Sequence, residues 1–262
     1  MDRATGAPLG DGLVDAPPDE SGPSRPVKAR AAGEGAITTL DGRRLAVTLA
    51  VDPVMELGRM TVAGHRIEPV LSHAGSGEPL TAAERSGLLA IDMERADFMA
   101  LRKAMARLDE RRGDDPGLLI VSVSFFTVSS QRARTNLLTR SGALRDQMRH
   151  SVIWALADLP EGASAGRLSE VTALMRPFGR AVFARTRLGG TVIKTARAAG
   201  LSGLAIDPPA DISPTDAALW LLQAGRLVER SAPTLIVNGL ASDALLPMAA
   251  AAGFTHAAMR CS

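Results

Sequence analysis

"DPVMELGRMTVAGHRIEPVL", Asp52 to Leu71, holds the end of one apolar run and the whole of the next, with a turn at Gly58 between them. Together with "LAVTLAV" (Leu45 to Val51) just upstream, it reads as an opening pair of extended strands. Further apolar, β-branched runs follow at Gly117 to Phe126, Ser151 to Ala157, Ala181 to Thr186, Gly203 to Asp207, Pro233 to Asn238 and Thr255 to Arg260. Their continuous apolar character suits strands buried on both faces. Amphipathic stretches between them predict helices over Thr81 to Arg111, Ser129 to Arg149, Ala163 to Arg176, Gly190 to Ala199, Ser213 to Arg230 and Ser242 to Ala252. Two of these carry start signals. "SPTDAALWLL" offers Ser213 as a cap with Pro214 in the first turn, and "TAAERSGLL" contains a Thr-x-x-Glu capping box. Two opening strands followed by repeated strand and helix units, about eight strands in about 220 residues, match a closed α/β fold, a TIM-like (β/α) barrel, better than an open sheet.

The 262 residues are 46% hydrophobic and 22% charged, the balance of a globular protein, but aromatics are only 3% and Tyr is absent, so the core must be aliphatic. Few aromatics also means few stacking platforms for single strands. With a formal charge of only +2, the pI near 9.2 does not imply a nucleic-acid partner. Basicity here is arginine, since lysine occurs only at Lys28, Lys103 and Lys194. Guanidinium forks suit carboxylates and phosphates, although heavy Arg and Ala usage is equally the mark of a coding bias. The segment "SSQRARTNLLTRSGALRDQMRH" spreads Arg132, Arg134, Arg140, Arg145 and Arg149 around its helix, the pattern of a solvated surface. A single Cys261 excludes an internal disulfide and a Cys-based zinc site. No apolar run reaches the ~20 residues that span a bilayer, and the N-terminus lacks a signal core, so no membrane span and a cytoplasmic location are expected. Residues 1–38, rich in Pro and Gly, are expected to be a disordered tail, leaving 39–262 as the barrel.

Barrels of this kind place their chemistry at the carboxyl ends of the strands, which points to Asp52, Arg66, Ser122, Ser124, Trp154, Arg185, Thr186, Asp207, Asn238 and Arg260. Metal-assisted phosphodiester hydrolysis needs several carboxylates converging on a hard cation. This rim offers only Asp52 and Asp207, with Glu68 placed past a turn of its strand and three arginines opposing a divalent ion. His65, His73, His150 and His256 show no metal-ligand spacing, and Ser122 and Ser124 lack a nucleophile elbow. The strongest anion-binding candidate is "TRLGGTVIK", Thr186 to Lys194, where Gly189 and Gly190 open a helix beside Arg185 and Arg187.

The order and spacing of these segments resemble the EAL domain, the bacterial β/α barrel that hydrolyses cyclic di-GMP with divalent metal. "DPVMELGRMTVAGHRIEP" is similar to that family's opening strands, with Pro53, Val54, Leu57, Val62 and Gly64 in place. Ungapped counting puts Arg66 at the Glu of the Glu-Ala-Leu triplet. A shifted register makes "EPV" at Glu68 the triplet, but it costs an insertion in the hairpin and the glycine match, so Arg66 is preferred. "LLIVSVSFFTVSS" resembles the Val-Asn-Leu-Ser strand with Ser122 at the metal-binding Asn. "SVIWALADLPEG" resembles the Glu-Ile-Thr-Glu strand with Trp154 and Ala157 at its acidic positions. Arg185 and Thr186 stand for the paired aspartates, Ala205 for the catalytic lysine before Asp207, and Asn238 and Ala241 for two glutamates, while Gly179, Gly190, Gly239 and Gly253 agree.

The resemblance covers Leu45 to Met259 and implies the EAL-type barrel with its catalytic motifs lost. It implies in turn a pseudo-phosphodiesterase with no catalytic residue, metal or cofactor, acting as a binding or regulatory module of bacterial signalling on an unidentified protein partner. One alternative is a metal-free cyclic di-GMP receptor. It would use Arg66, Arg185, Arg187, Gly189, Gly190, Asp207 and Asn238, although the family's substrate-binding Arg falls at Val70. Another is an active cyclic di-GMP phosphodiesterase with a different ligand set. Homodimerisation is an expectation from the resemblance alone.

Overall fold

In the computed structural model, residues 35–110, 117–142, 146–209 and 212–260 are described. The opening hairpin forms as its sequence requires. β2 (Arg44–Glu56) and β3 (Thr61–His73) are antiparallel, with Asp52 opposite Arg66, and the chain reverses through a four-residue turn that ends at Met60 with φ 53°. A short strand, β1 (Gly35–Thr38), pairs with the start of β2. This strand falls inside the segment expected to be a tail, where "GAIT" supplies an alternating edge partner that a Pro/Gly count overlooks. The rest of that segment, residues 1–34, lies outside the described residues, as do Arg145 and Cys261.

Six parallel strands continue the sheet from β3: β4 (Leu118–Ser124), β5 (Val152–Ala157), β6 (Ala181–Arg187), β7 (Gly203–Asp207), β8 (Thr234–Leu240) and β9 (His256–Met259). β9 then pairs antiparallel with Val54–Glu56 of β2 and closes an eight-stranded mixed barrel, with β1 outside the ring. The expected barrel is present, but β2 runs against the other seven strands. Asp52 consequently lies in mid-strand, not at a carboxyl end.

The helices are α1 (Ala82–Ser86), α2 (Ala90–Glu110), α3 (Phe125–Ser129), α4 (Gln131–Gly142), α5 (Asp146–Ser151), α6 (Ala165–Met175), α7 (Val192–Thr195), α8 (Pro214–Val228) and α9 (Leu246–Ala251). Thr81 and Glu84 form the predicted capping box, and Ser213 accepts from the Asp216 N–H at 3.1 Å. Three expected helices are divided or shortened. The Thr81 to Arg111 helix is interrupted after Gly87. The Ser129 to Arg149 stretch holds α4 and α5, and α3 precedes it, because Ser124 Oγ accepts the Phe126 N–H and starts a helix where the sequence reads as strand. The Gly190 to Ala199 helix is one turn, α7.

Burial separates three apolar layers. The barrel interior is filled by Val54, Ile120, Ile153, Phe183, Ile236 and a set of alanines. A larger layer joins the outer faces of the strands to the helices, and includes Trp154, Leu156, Leu204 and Ile206. A third lies between α2 and the part of β1, β2 and β3 that projects past the barrel, with Leu45, Val47, Leu71 and Met93. Trp154 belongs to the second layer. Its Nε1 donates to the Phe178 carbonyl at 2.9 Å, and the inward residues of β5 are Ile153 and Ala155. Trp154 is thus not a mouth residue, contrary to expectation. Among the described residues, no helix is long and apolar enough to cross a membrane.

Candidate functional site

β3 leaves the barrel beyond Ile67, its last partner on β4, so Arg66 is held inside the ring and Glu68, two residues on and on the same face, stands at the lip. Glu68 is part of the strand and not past a turn, which corrects its exclusion from the site. Across the mouth, β6 carries Arg185 two residues before its end, β7 ends with Asp207, and β8 brings Asn238 beside them.

These side chains form one connected chain of charge. Asp52 Oδ2 lies 2.5 Å from Arg66 Nη2, which is 3.4 Å from Glu68 Oε2. Glu68 Oε1 accepts from Arg185 Nη1. Arg185 Nε donates to Asp207 Oδ2 at 2.7 Å, and Asn238 Nδ2 donates to Asp207 Oδ1 at 2.7 Å. Burial alone pushes the Glu68 carboxyl up, but the neighbouring Arg185 and Arg66 guanidinium charges outweigh it and hold Glu68 below its ordinary range. Burial disfavours the Arg185 charge, yet Glu68 and Asp207 on either side more than compensate and raise its pKa. Arg66 Nε and Nη1, Ser122 Oγ and Asn238 Oδ1 are buried without a protein hydrogen-bond partner.

A cleft of about 1070 Å³ opens above the network. Glu68, Arg185 and Asp207 form its floor, Leu88, Met93 and Phe126 one wall, and Arg187, Gly189 and Gly190 another. Of the residues expected to bind ligand, Arg185, Arg187, Gly189, Gly190 and Asp207 line this cleft, whereas Arg66 and Asn238 lie beneath it and act through Glu68 and Asp207. Arg260, beyond β9, is exposed and not among the lining residues. Arg187 makes no ion pair among the described residues, and Gly189 adopts φ 88°, the left-handed geometry that exposes the loop backbone. Of the three arginines expected to oppose a divalent ion, the two inward ones are matched by acids, so the five charged groups from Asp52 to Asp207 sum to a single negative charge. Phe126, Asp158 and Arg85, the last two paired at 3.1 Å, line the cleft without having been singled out by the sequence.

The residues do not suit a divalent cation. Among the described residues no three His, Cys, Asp or Glu side chains are grouped as ligands. Three of the four carboxylate oxygens of Glu68 and Asp207 accept a protein N–H and the fourth lies 3.4 Å from Arg66, whereas a hard cation needs free oxygens.

A closed mixed barrel with its first strand reversed and its cleft at the carboxyl ends of the parallel strands is the EAL-domain fold. No family model and no curated protein sequence matches the chain, but solved structures do. An EAL domain protein from Listeria monocytogenes matches with TM-score 0.62 at 9% identity, over 80% of this chain and 85% of that one. PaMucR phosphodiesterase in complex with c-di-GMP matches with TM-score 0.59 at 16% identity, over 81% and 89%. Bacillus subtilis YkuI, which has an EAL domain and was solved with substrate c-di-GMP and calcium, matches with TM-score 0.57 at 12% identity, over 80% and 53%, so this chain spans about half of YkuI. At these identities the likeness is one of fold.

Proposed function

We propose that this chain is a non-hydrolytic EAL-type barrel, a cytoplasmic regulatory module of cyclic di-GMP-related bacterial signalling that works by binding in its cleft. The observation that carries this reading is the Arg185 guanidinium lodged between Glu68 and Asp207. A divalent cation entering there would have to expel a guanidinium from two carboxylates and then sit beside a second one, Arg66, with strong repulsion at short range. Fold carries no activity by itself, so neighbours that hydrolyse do not reverse this argument.

The metal-free receptor reading has its own support. Arg187 faces an open cleft and makes no ion pair among the described residues, the Gly189-Gly190 loop lines the cleft beside it, and a guanidinium fork suits a phosphodiester. Purified full-length protein is expected to leave cyclic di-GMP intact in the presence of Mg²⁺ or Mn²⁺. In calorimetry it is expected to bind the nucleotide without metal, with Arg187→Ala weakening affinity by about tenfold, the worth of one charge-assisted contact. Turnover that Asp207→Ala abolishes would overturn the non-hydrolytic reading. Absence of binding heat would reject the nucleotide as ligand and leave a protein partner as the cleft's occupant.

A further inference from the structure

Three buried acids of α2 each tie a different segment to that helix. Asp92 accepts the Leu40 N–H at 3.1 Å and lies 3.4 Å from Arg95 Nη1. Glu94 accepts from Arg132 Nη2 of α4 at 2.8 Å. Asp97 differs, because among the described residues no cation is paired with it. Its Oδ2 accepts from the Ser124 N–H at 2.9 Å and from Thr127 Oγ1 at 2.5 Å, both neutral donors.

Those two donors fix the passage from β4 into α3. Between them lies Phe126, which is 46% exposed and forms part of the cleft wall, while Phe125, Thr127 and Val128 are buried. Phe126 therefore goes where the Ser124–Thr127 turn goes. The charged groups facing Asp97 are Arg85 of α1 and Asp158 just past β5, which pair with each other. β4, β5 and α3 carry no charged side chain, Arg132 and Arg95 are engaged by Glu94 and Asp92, and Arg134 of α4 donates to the Val128 carbonyl at 3.0 Å. Burial pushes the Asp97 carboxyl up to about 7, against the pull of the Thr127 and Ser124 hydrogen bonds and with the Asp158 charge adding to the rise.

We propose that Asp97 is a positioning residue that links proton binding to the shape of the cleft: its carboxylate tethers the Ser124–Thr127 turn, and proton uptake slackens the turn that carries Phe126. Ionised, the carboxylate gives both donors a charged acceptor, which makes the stronger bonds. Protonated, it becomes a weaker acceptor with an O–H of its own to place. Global stability moves the other way. The folded-state pKa lies above the unfolded value, so this group's contribution is fully present below pH 3.8 and is lost as pH rises through about 7. Acid thus stabilises the fold while it loosens this one tether.

Nuclear magnetic resonance of the full chain between about pH 5.5 and pH 8.5 tests this directly. The Ser124 amide and Phe126 ring signals are expected to shift together with one midpoint near neutrality, and to stay flat in Asp97→Asn. Thr127→Val removes a hydrogen bond to the ionised form and is expected to move that midpoint to higher pH. Signals that do not titrate in the wild type, or that still titrate in Asp97→Asn, overturn the proposal. Should Asp97→Asn fail to fold, an unchanged midpoint in Thr127→Val overturns it equally.

Discussion

Arg185→Ala is expected to cost about 2–3 kcal/mol of unfolding free energy at neutral pH, between the cost of breaking a fully buried ion pair and that of breaking an exposed one, because Arg185, Glu68 and Asp207 are each half-buried at the cleft floor. Arg185 joins β6 to β3 and β7 at once, so its loss leaves Glu68 and Asp207 facing each other with no cation between them. The pH dependence identifies the cause. In the wild type Glu68 is held below its ordinary value of 4.5, so its contribution is present above that value and disappears as pH falls through the lower folded one. In the variant Glu68 loses the Arg185 charge that holds its carboxyl down and takes up a proton more readily. The gap between the two proteins should therefore be widest above about pH 5 and close on acidification, as denaturant unfolding at several pH values would show. Arg185→Lys should recover only part of the loss, since an ammonium gathers its donors on one nitrogen whereas Arg185 reaches Asp207 through Nε and Glu68 through Nη1, two nitrogens held apart in one plane. Millimolar Mn²⁺ should raise the melting temperature of Arg185→Ala and leave that of the wild type unchanged. A deficit below about 1 kcal/mol, or one independent of pH, would mean that this network is no more than an exposed ion pair in its effect.

Much of this architecture is legible in the sequence, because aliphatic β-branched runs between amphipathic stretches admit few arrangements. What stays hidden has identifiable causes. A strand buried on both faces is apolar throughout, so the phase of its side chains cannot be read, and Trp154 reads as a mouth residue although it points into the helix layer. The short turn at Gly58 makes β2 antiparallel to β3, but nothing in "LAVTLAVDPV" reveals that its far end, Val54 to Glu56, will close the ring against β9. Arg185, Arg187, Asp207 and the glycine pair are legible as mouth residues since each sits at or just beyond a strand's carboxyl end. Their neutralisation is not, because Glu68 meets Arg185 across the barrel, 117 positions away in the chain. Asp97 gives no signal at all: in "MERADFMALRKAM" it looks like one more surface acid, and only the docking of α2 against the passage from β4 into α3 buries it.

Gly64→Ala is expected to cost about 3 kcal/mol, at the upper end of what forced overpacking does. A Cβ at this position would lie 1.9 Å from the Leu118 carbonyl oxygen and 2.6 Å from the Leu118 nitrogen, both backbone atoms that cannot rotate away. Gly64 and Leu118 are the first paired residues of β3 and β4, and Gly117 just before them takes φ 58° with its own space bounded by the Ala63 carbonyl at 3.0 Å. The two backbones are therefore pressed together where parallel pairing starts, and relief of the clash must move β3. Gly77→Ala separates crowding from strain. Its φ is 75° with nothing within 4 Å of the added carbon, so it should lose only about 1 kcal/mol, the cost of left-handed backbone alone. Displacement of β3 also carries Arg66 and Glu68 with it, two and four residues along the same strand, and so loosens the contact with Arg185 at the mouth. In a double-mutant cycle, Arg185→Ala should then cost less stability when Gly64→Ala is already present, whereas its cost should be the same with or without Gly77→Ala. Full additivity for Gly64→Ala would show that the close approach of β3 to β4 does not set the register of the charged network.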